Sequence, residues 1–224
     1  MEPSELRSAR RRAGLTQAEA AERLGISQPY LSLIEKGERP LTPELAEAAV
    51  PLLRLPATAR PIKISPRVTP DTLASQLGAL GYPGFAHRRG RTVNPAALLF
   101  QALGQDDLDV RVAEALPWVA MTYLGLDWAW LVREMKLKDL QNRLGFVVAL
   151  ARDLAERVGR GGAERSLSVV LEQLERAARA RGHVGTRDDD ATRAAARRGA
   201  AERNRATLEP AHDAHARRPR AWRL

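Results

Sequence analysis

Three carboxylates within four residues, Asp106, Asp107 and Asp109, form the first group of side chains that could do chemistry. Carboxylate oxygens gathered in this way could hold a divalent metal ion. Each of the three also stands just before an apolar helical pattern, where an Asp side chain stabilises the N-terminus of a helix. We therefore interpret the group as helix caps, with Asp106 or Asp107 capping a helix over 108–124, and we predict no metal site.

Other candidates for catalysis lack partners at the required spacing. His87 has no carboxylate or nucleophile at a motif distance. The run Gly159-Arg160-Gly161-Gly162 lacks the Gly-Lys-Ser/Thr of a phosphate-binding loop and is typical of a linker between helices. The chain has no Cys, which excludes disulfides, thiolate metal sites and a cysteine nucleophile. We therefore expect neither an enzyme nor a bound cofactor.

Length and composition narrow the class of protein. The 224 residues suit one or two domains, and a 44% hydrophobic content is enough to build a core. The formal net charge of +9 favours a phosphate-bearing partner, whereas only 4% aromatic residues disfavour a stacking surface for single strands. We find no membrane segment and no signal peptide. The expectation from composition is a cytoplasmic protein.

Turn and capping residues predict a bundle of short helices in the first sixty residues. Thr16-Gln17-Ala18-Glu19 has the Thr-x-x-Glu pattern of a capping box. Gly25 can end the helix that follows, and Ser27 can cap the next one, with Pro29 in its first turn. Gly37 closes that helix. Two short helices around a tight turn at Gly25 are the ingredients of a helix-turn-helix.

The residues of this turn also carry a family resemblance. The stretch Leu15-Thr16-Gln17-Ala18-Glu19, Leu24-Gly25-Ile26-Ser27-Gln28 and Leu31-Ser32-Leu33-Ile34-Glu35-Lys36-Gly37 resembles the Cro/C1-type (XRE-like) helix-turn-helix regulators of bacteria and phages. The resemblance covers about residues 6–60. It implies a head of four or five helices whose third helix, 27–36, enters the major groove of DNA.

The resemblance further implies roles for individual residues. Gln17, with Thr16 beside it, would hold a phosphate, and the Gln28 amide would pair bidentately with adenine N6 and N7. Pro29 and Leu33 would offer apolar contact to a thymine methyl, Ser32 would reach a base or a phosphate, and Lys36 and Arg39 would meet backbone phosphates. The implied DNA-binding residues are Thr16, Gln17, Ser27, Gln28, Pro29, Ser32, Leu33, Lys36 and Arg39. Arg10 and Glu35 would form an internal salt bridge.

The remainder of the chain divides into three segments. Residues 56–68 contain three prolines and no periodicity, which indicates a linker after the DNA-binding domain at 1–55. Residues 69–182 carry apolar stripes at helical spacing, notably from Leu140 to Leu154, and are predicted to form a helical dimerisation or partner domain. In residues 183–224, 11 of 42 are Ala and 10 are Arg, which predicts a disordered basic tail. That tail could be a DNA-binding arm, a solvated extension or the product of a shifted reading frame.

Together these observations predict an all-α protein: a Cro/C1-type helix-turn-helix head, a second helical domain and a disordered basic tail. The preferred function is a sequence-specific DNA-binding transcriptional regulator, a repressor, that binds double-stranded DNA as a homodimer. The alternative is an antitoxin that binds a cognate toxin through its helical domain and regulates its own operon. A purely protein-binding adaptor is the third possibility.

Overall fold

The structure, a computed structural model, describes residues 3–179, and all regular elements in that range are helical. The α-helices are α1 (Pro3–Arg12), α2 (Gln17–Leu24), α3 (Gln28–Lys36), α4 (Pro43–Leu52), α5 (Pro70–Ala79), α6 (Pro95–Leu103), α7 (Val110–Thr122), α8 (Trp128–Leu137), α9 (Gln141–Arg157) and α10 (Gly161–Arg179). Two short 3-10 turns lie at Ala57–Ala59 and Pro83–Phe85. The predicted all-α fold is confirmed for the described residues; the predicted tail, 183–224, lies outside them.

Helix boundaries in the head follow from the capping residues read in the sequence. The Thr16 hydroxyl accepts a hydrogen bond from the Glu19 backbone, and the Glu19 carboxylate accepts one from the Thr16 backbone, so both halves of the capping box form. Gly25 ends α2 with φ of 68°, and Gly37 ends α3 with φ of 80°. A side chain at either position would be strained in this left-handed region, which explains why glycine stands there.

Buried apolar side chains form two clusters. The smaller joins α1, α2, α3 and α4. Its fully buried members include Leu6, Leu31 and Ile34, each 1% exposed or less. The larger cluster joins α5 to α10, and every residue of α6 is buried within it or beside it. Leu55 packs against the first cluster and Ala57 against the second, so the chain passes from one to the other within two residues.

The segment between the clusters is held by side chains of α6 and its cap. Asn94 caps α6 through Oδ1, while its Nδ2 donates to the carbonyls of Thr58 and Arg60 at 3.1 and 2.6 Å. Two turns further on, Gln101 Nε2 donates to the Ser65 carbonyl at 3.1 Å. The run 58–65, which begins within the first 3-10 turn and continues without regular structure, is therefore fastened along α6.

Several helix details differ from the sequence-based expectation. Asp109, rather than Asp106 or Asp107, caps α7, accepting from the backbone of Arg111 and Val112. Asp139 does not cap α9, because it has a left-handed φ of 58° and Leu140 occupies the cap position without a side-chain bond. Gly161 begins α10 instead of lying in a linker; α10, at 19 residues, is longer than α9 at 17.

The buried face of α4 also differs from the expected one. The sequence suggested Leu45, Ala48, Ala49 and Leu52 as its apolar face. The structure buries Ala46, Ala49 and Val50, leaves Leu45 and Leu52 half-buried and exposes Ala48. Because small and apolar residues occupy nearly every position of this helix, the packing of α1 and α2 decides which face turns inward.

Candidate nucleic-acid interface

The connection between α2 and α3 has the geometry of a helix-turn-helix. Only Gly25, Ile26 and Ser27 separate the two helices. Ala21, 1% exposed, is small enough to let α2 and α3 pack closely, and the Ile26 N–H donates to its carbonyl at 3.0 Å. The Ser27 hydroxyl accepts from the Tyr30 N–H at 3.3 Å and starts α3. The turn thus packs one side of α3 against the small core and leaves its other side exposed.

One face of α3 is turned to solvent. At about 100° per residue, positions 28, 29, 32, 33 and 36 span an arc of roughly 140°. Gln28, Pro29 and Lys36 are exposed, and Ser32 and Leu33 are half-buried at the same face. Leu31, Ile34 and Glu35 are buried on the opposite side. The side chains that the resemblance associates with base contact therefore share one accessible surface.

A buried ion pair ties α1 to the last turn of α3. Arg10 Nε lies 2.6 Å from Glu35 Oε1, Arg10 Nη2 donates to Glu35 Oε2 at 3.0 Å, and Arg10 Nη1 donates to the Leu15 carbonyl at 2.7 Å. The Arg10 and Glu35 side chains are only 9% and 2% exposed. Burial pushes the pKa of Glu35 up, but hydrogen bonds from Arg10 and Gln17 outweigh it, so this pKa lies below its usual range. The carboxylate stays charged and holds α3 against α1.

The ion pair continues into a chain of amide hydrogen bonds that reaches the exposed face. Gln17 Nε2 donates to Glu35 Oε2 at 2.9 Å, and Gln28 Nε2 donates to Gln17 Oε1 at 3.0 Å. The buried carboxylate fixes which edge of the Gln17 amide faces outward, and Gln17 in turn fixes the Gln28 amide. Gln28 is thus oriented in advance by residues on two other helices.

Two of the three hydroxyls predicted to contact DNA, those of Thr16 and Ser27, are already engaged in capping. Thr16 Oγ1 donates to Glu19 Oε2 at 2.8 Å and accepts from the Glu19 N–H at 3.2 Å. The backbone and side-chain hydrogen bonds from Thr16 lower the pKa of Glu19, so Glu19 remains an acceptor for this hydroxyl. The Ser27 hydroxyl accepts from the Tyr30 backbone. Thr16 would have to give up its bond to Glu19 before its hydroxyl could donate to a phosphate.

Two cations lie at the far end of the exposed α3 face. Lys36 occupies the last turn of α3 and Arg39 follows three residues later, and both side chains are exposed. Neither forms an ion pair within the described part of the chain, so their charge is available to a phosphate.

A further residue near the head was missed in the sequence reading. Glu47 of α4 accepts from Arg60 Nη1 and, at 3.2 Å, from Arg91 Nη2. It joins the head to the segment after it and to the loop before α6. The sequence around Glu47 carries no signal for such a contact, because its partners lie 13 and 44 residues away along the chain.

The described residues show neither a metal centre nor a membrane span. Between residues 3 and 179, no three His, Asp or Glu side chains are placed to hold a metal ion. Of the Asp residues considered as metal ligands, Asp106 has its Oδ1 3.8 Å from Arg143 Nη2, and Asp109 caps α7. Within the same range, every helix is too short or too polar to cross a bilayer.

Comparison with known families agrees with this geometry. Residues 4–61 match the family model of a helix-turn-helix domain, which is about a quarter of the chain. These residues contain the whole small cluster and the α2–turn–α3 unit described above. The N-terminal part of the protein is a helix-turn-helix domain, a class of domain that binds DNA. No curated protein and no solved structure matched the chain.

Proposed function

We propose that this protein is a sequence-specific transcriptional regulator of the Cro/C1 type, a repressor, that reads the major groove of double-stranded DNA with α3. The observation that carries the proposal is the pre-oriented Gln28 amide on the exposed face of a helix-turn-helix recognition helix. N-terminal residues of such helices meet base edges when the helix lies in the groove. The proposal assigns no catalytic step to the chain.

The hydrogen bond from Gln28 to Gln17 is compatible with base reading. A primary amide has two N–H hydrogens and one oxygen. Gln17 takes one hydrogen of Gln28, which leaves the other N–H and Oε1 without a partner among the described residues. Adenine offers a matching acceptor at N7 and a donor at N6 in the major groove. Gln17 therefore acts as a positioning residue, and we propose that its own outer edge lies near a phosphate.

The rest of the exposed face supplies weaker contacts. Pro29 and Leu33 have no polar side-chain atom and would meet a thymine methyl, while Ser32 is short enough to reach either a base or a phosphate. Lys36 and Arg39 would neutralise phosphates. Thr16 and Ser27, which cap α2 and α3, would lie at the phosphate backbone through the helix N-termini that they start.

We further propose that residues 1–55 act as the DNA-binding domain, that residues 56–68 join it to the helical domain 69–182, and that this second domain brings two chains together. The two separate hydrophobic clusters support the division. Two heads held in this way would bind half-sites about one helical turn, roughly 34 Å, apart. Occupancy of such an operator would block polymerase.

The test is enrichment of genomic DNA fragments by the purified full-length protein at about 150 mM salt, followed by affinity measurements on the enriched site. Gln28→Ala should reduce discrimination at one base pair by about 1–3 kcal/mol. Gln173→Ala is the matched control, because Gln173 is an exposed glutamine on α10, outside the helix-turn-helix. It should leave both affinity and discrimination unchanged.

An inverted repeat bound by the wild type and misread by Gln28→Ala would support the proposal. Binding without sequence preference, or an unchanged preference in Gln28→Ala, would refute the role given to α3. A stable complex with the product of an adjacent gene, formed through residues 69–182, would favour an antitoxin over a simple repressor.

A further inference from the structure

The head of this protein is electrically balanced, although it carries the DNA-binding domain. Residues 3–53 contain seven Lys or Arg and seven Asp or Glu. Residues 54–91, directly after them, contain seven basic residues and a single acid, Asp71, for a net charge of +6 out of +9 for the whole chain. Residues 92–182 contain twelve of each sign. The positive charge outside the tail is therefore concentrated in one segment that borders the head.

Two separated parts of this segment meet at α4 of the head. Arg60 from the joining run and Arg91 from the loop before α6 both pair with the same Glu47 oxygen. The run 58–65, which contains Lys63, is fastened along α6 by Asn94 and Gln101. The loop with Arg88, Arg89 and Arg91 leads directly into that same helix. We call the seven cations of residues 54–91 the basic strip; they are Arg54, Arg60, Lys63, Arg67, Arg88, Arg89 and Arg91.

Close backbone contacts hold the loop part of the basic strip in place. A Cβ on Gly90 would lie 2.3 Å from the Ser75 carbonyl oxygen of α5, and one on Gly78 would lie 2.4 Å from the Phe85 oxygen. Only glycine permits such an approach of loop to helix. Arg88 Nη1 also pairs with Asp71 Oδ1 at 2.7 Å. The loop is thus presented in a set conformation, which reduces the entropy lost on binding a partner.

Most of the strip's charge is not neutralised within the described residues. Lys63, Arg67 and Arg89 are exposed and form no ion pair there, and Arg54 is likewise exposed and unpaired. Arg91 is 73% exposed and shares one carboxylate with Arg60, so this group also keeps an excess positive charge. A ligand for such a surface carries a row of negative charges.

We propose that the basic strip binds the phosphate backbone of DNA flanking the bases read by α3 and adds sequence-independent affinity to that of Lys36 and Arg39. This inference rests on the proposed function, because the strip borders a helix-turn-helix domain that is itself neutral. Duplex DNA presents one negative charge per about 1.7 Å of helix axis. Each phosphate contact makes the fall of log affinity with log salt concentration steeper by roughly 0.9. Arginine suits this partner because its guanidinium pairs well with phosphate oxygens.

The experiment compares salt dependence in three full-length proteins: wild type, the triple variant Lys63→Ala/Arg67→Ala/Arg89→Ala, and a matched control. The control is Arg157→Ala/Arg160→Ala/Arg165→Ala, which removes three exposed cations from the balanced region around the α9–α10 connection. Affinity for the enriched site and for a scrambled duplex is measured from about 50 to 200 mM salt. Far-UV circular dichroism and thermal unfolding verify that each variant is folded.

The strip variant should lower the salt slope by about 2.7, three contacts at roughly 0.9 each, and lose affinity for both duplexes alike. The ratio between the two duplexes should not change, and hydroxyl-radical footprints should lose protection outside the half-site. A slope equal to that of the control would overturn the inference, as would a loss confined to the enriched site. These outcomes leave the Gln28→Ala test unaffected, so the inference and the proposed function fail separately. Arg89→Glu provides an independent check, since a reversed charge should weaken binding more than Arg89→Ala.

Discussion

Removing Arg10 should expose how much of the head depends on a single buried ion pair. Arg10→Ala deletes two hydrogen bonds and an opposite charge from Glu35, whose side chain is 2% exposed, and one donor from the Leu15 carbonyl. Breaking a buried pair in this way costs about 3–5 kcal/mol, because a charge is left without its partner. At about 0.05–0.15 kcal/mol per residue, the 51 residues 3–53 have only some 3–8 kcal/mol in total. We therefore expect the head of this variant to keep little of its stability and to unfold at low denaturant.

The tryptophans allow the head to be followed separately from the rest of the chain. All four lie at position 118 or beyond, so their fluorescence reports on the second cluster and the tail. Circular dichroism reports on every helix. In urea titrations, Arg10→Ala should lose helical signal at low denaturant while the tryptophan transition stays close to that of the wild type. Arg11→Ala is the control, since Arg11 is exposed and unpaired among the described residues, and it should change stability by less than about 0.5 kcal/mol.

At acidic pH, the free energies of unfolding of the wild-type head and the Arg10→Ala head should become more alike. In the wild type the pKa of Glu35 is lowered on folding, so its contribution is present above the unfolded value of about 4.3 and is lost as the pH falls through the lower folded value. In the variant, burial without Arg10 should raise that pKa, so protonation relieves the penalty. A loss of less than about 1 kcal/mol at pH 7, or a gap that widens below pH 4, would refute the reasoning.

Four further substitutions test local features of the fold. Gly25→Ala should cost about 1–2 kcal/mol because its φ is 68°, whereas Gly145→Ala, in open space within α9, should be neutral or stabilising by up to about 1 kcal/mol; urea titrations measure both. Gly90→Ala should displace the loop before α6, because its Cβ would lie 2.3 Å from the Ser75 oxygen, and limited proteolysis within 86–93 should become faster than in wild type. Thr16→Ala removes a capping-box partner and should cost about 1 kcal/mol, and an unchanged unfolding midpoint would contradict that role.

The features predicted well from the sequence are those decided by neighbouring residues. The Thr16–Glu19 capping box and the left-handed glycines at 25 and 37 are local choices, and they form as expected. The helix over 95–103 likewise begins at a local signal, because Asn94 can cap it and Pro95 suits its first position. Local chemistry therefore placed the turn that positions α3.

What the sequence did not disclose depends on packing between distant residues. Asp106, Asp107 and Asp109 are equally able to cap a helix, and the choice of Asp109 depends on which register buries Val112 and Leu116. The path from Arg10 through Glu35 and Gln17 to Gln28 crosses three helices. Only the ion pair was suggested by the resemblance. The amide hydrogen bonds that orient Gln28 depend on how α2 packs against α3, which no local sequence pattern encodes.

The fastened run 58–65 has a consequence for the spacing of DNA sites. Residues 54–68 contain no glycine and three prolines, and side chains of Asn94 and Gln101 hold the run along α6. A head joined in this way has little freedom to rotate relative to the helices of the second cluster. Each base pair inserted between two half-sites turns the second by about 34–36° around the duplex axis. Two such heads, joined as proposed, would keep a fixed distance and a fixed relative orientation. They would therefore bind poorly to an operator lengthened by a single base pair.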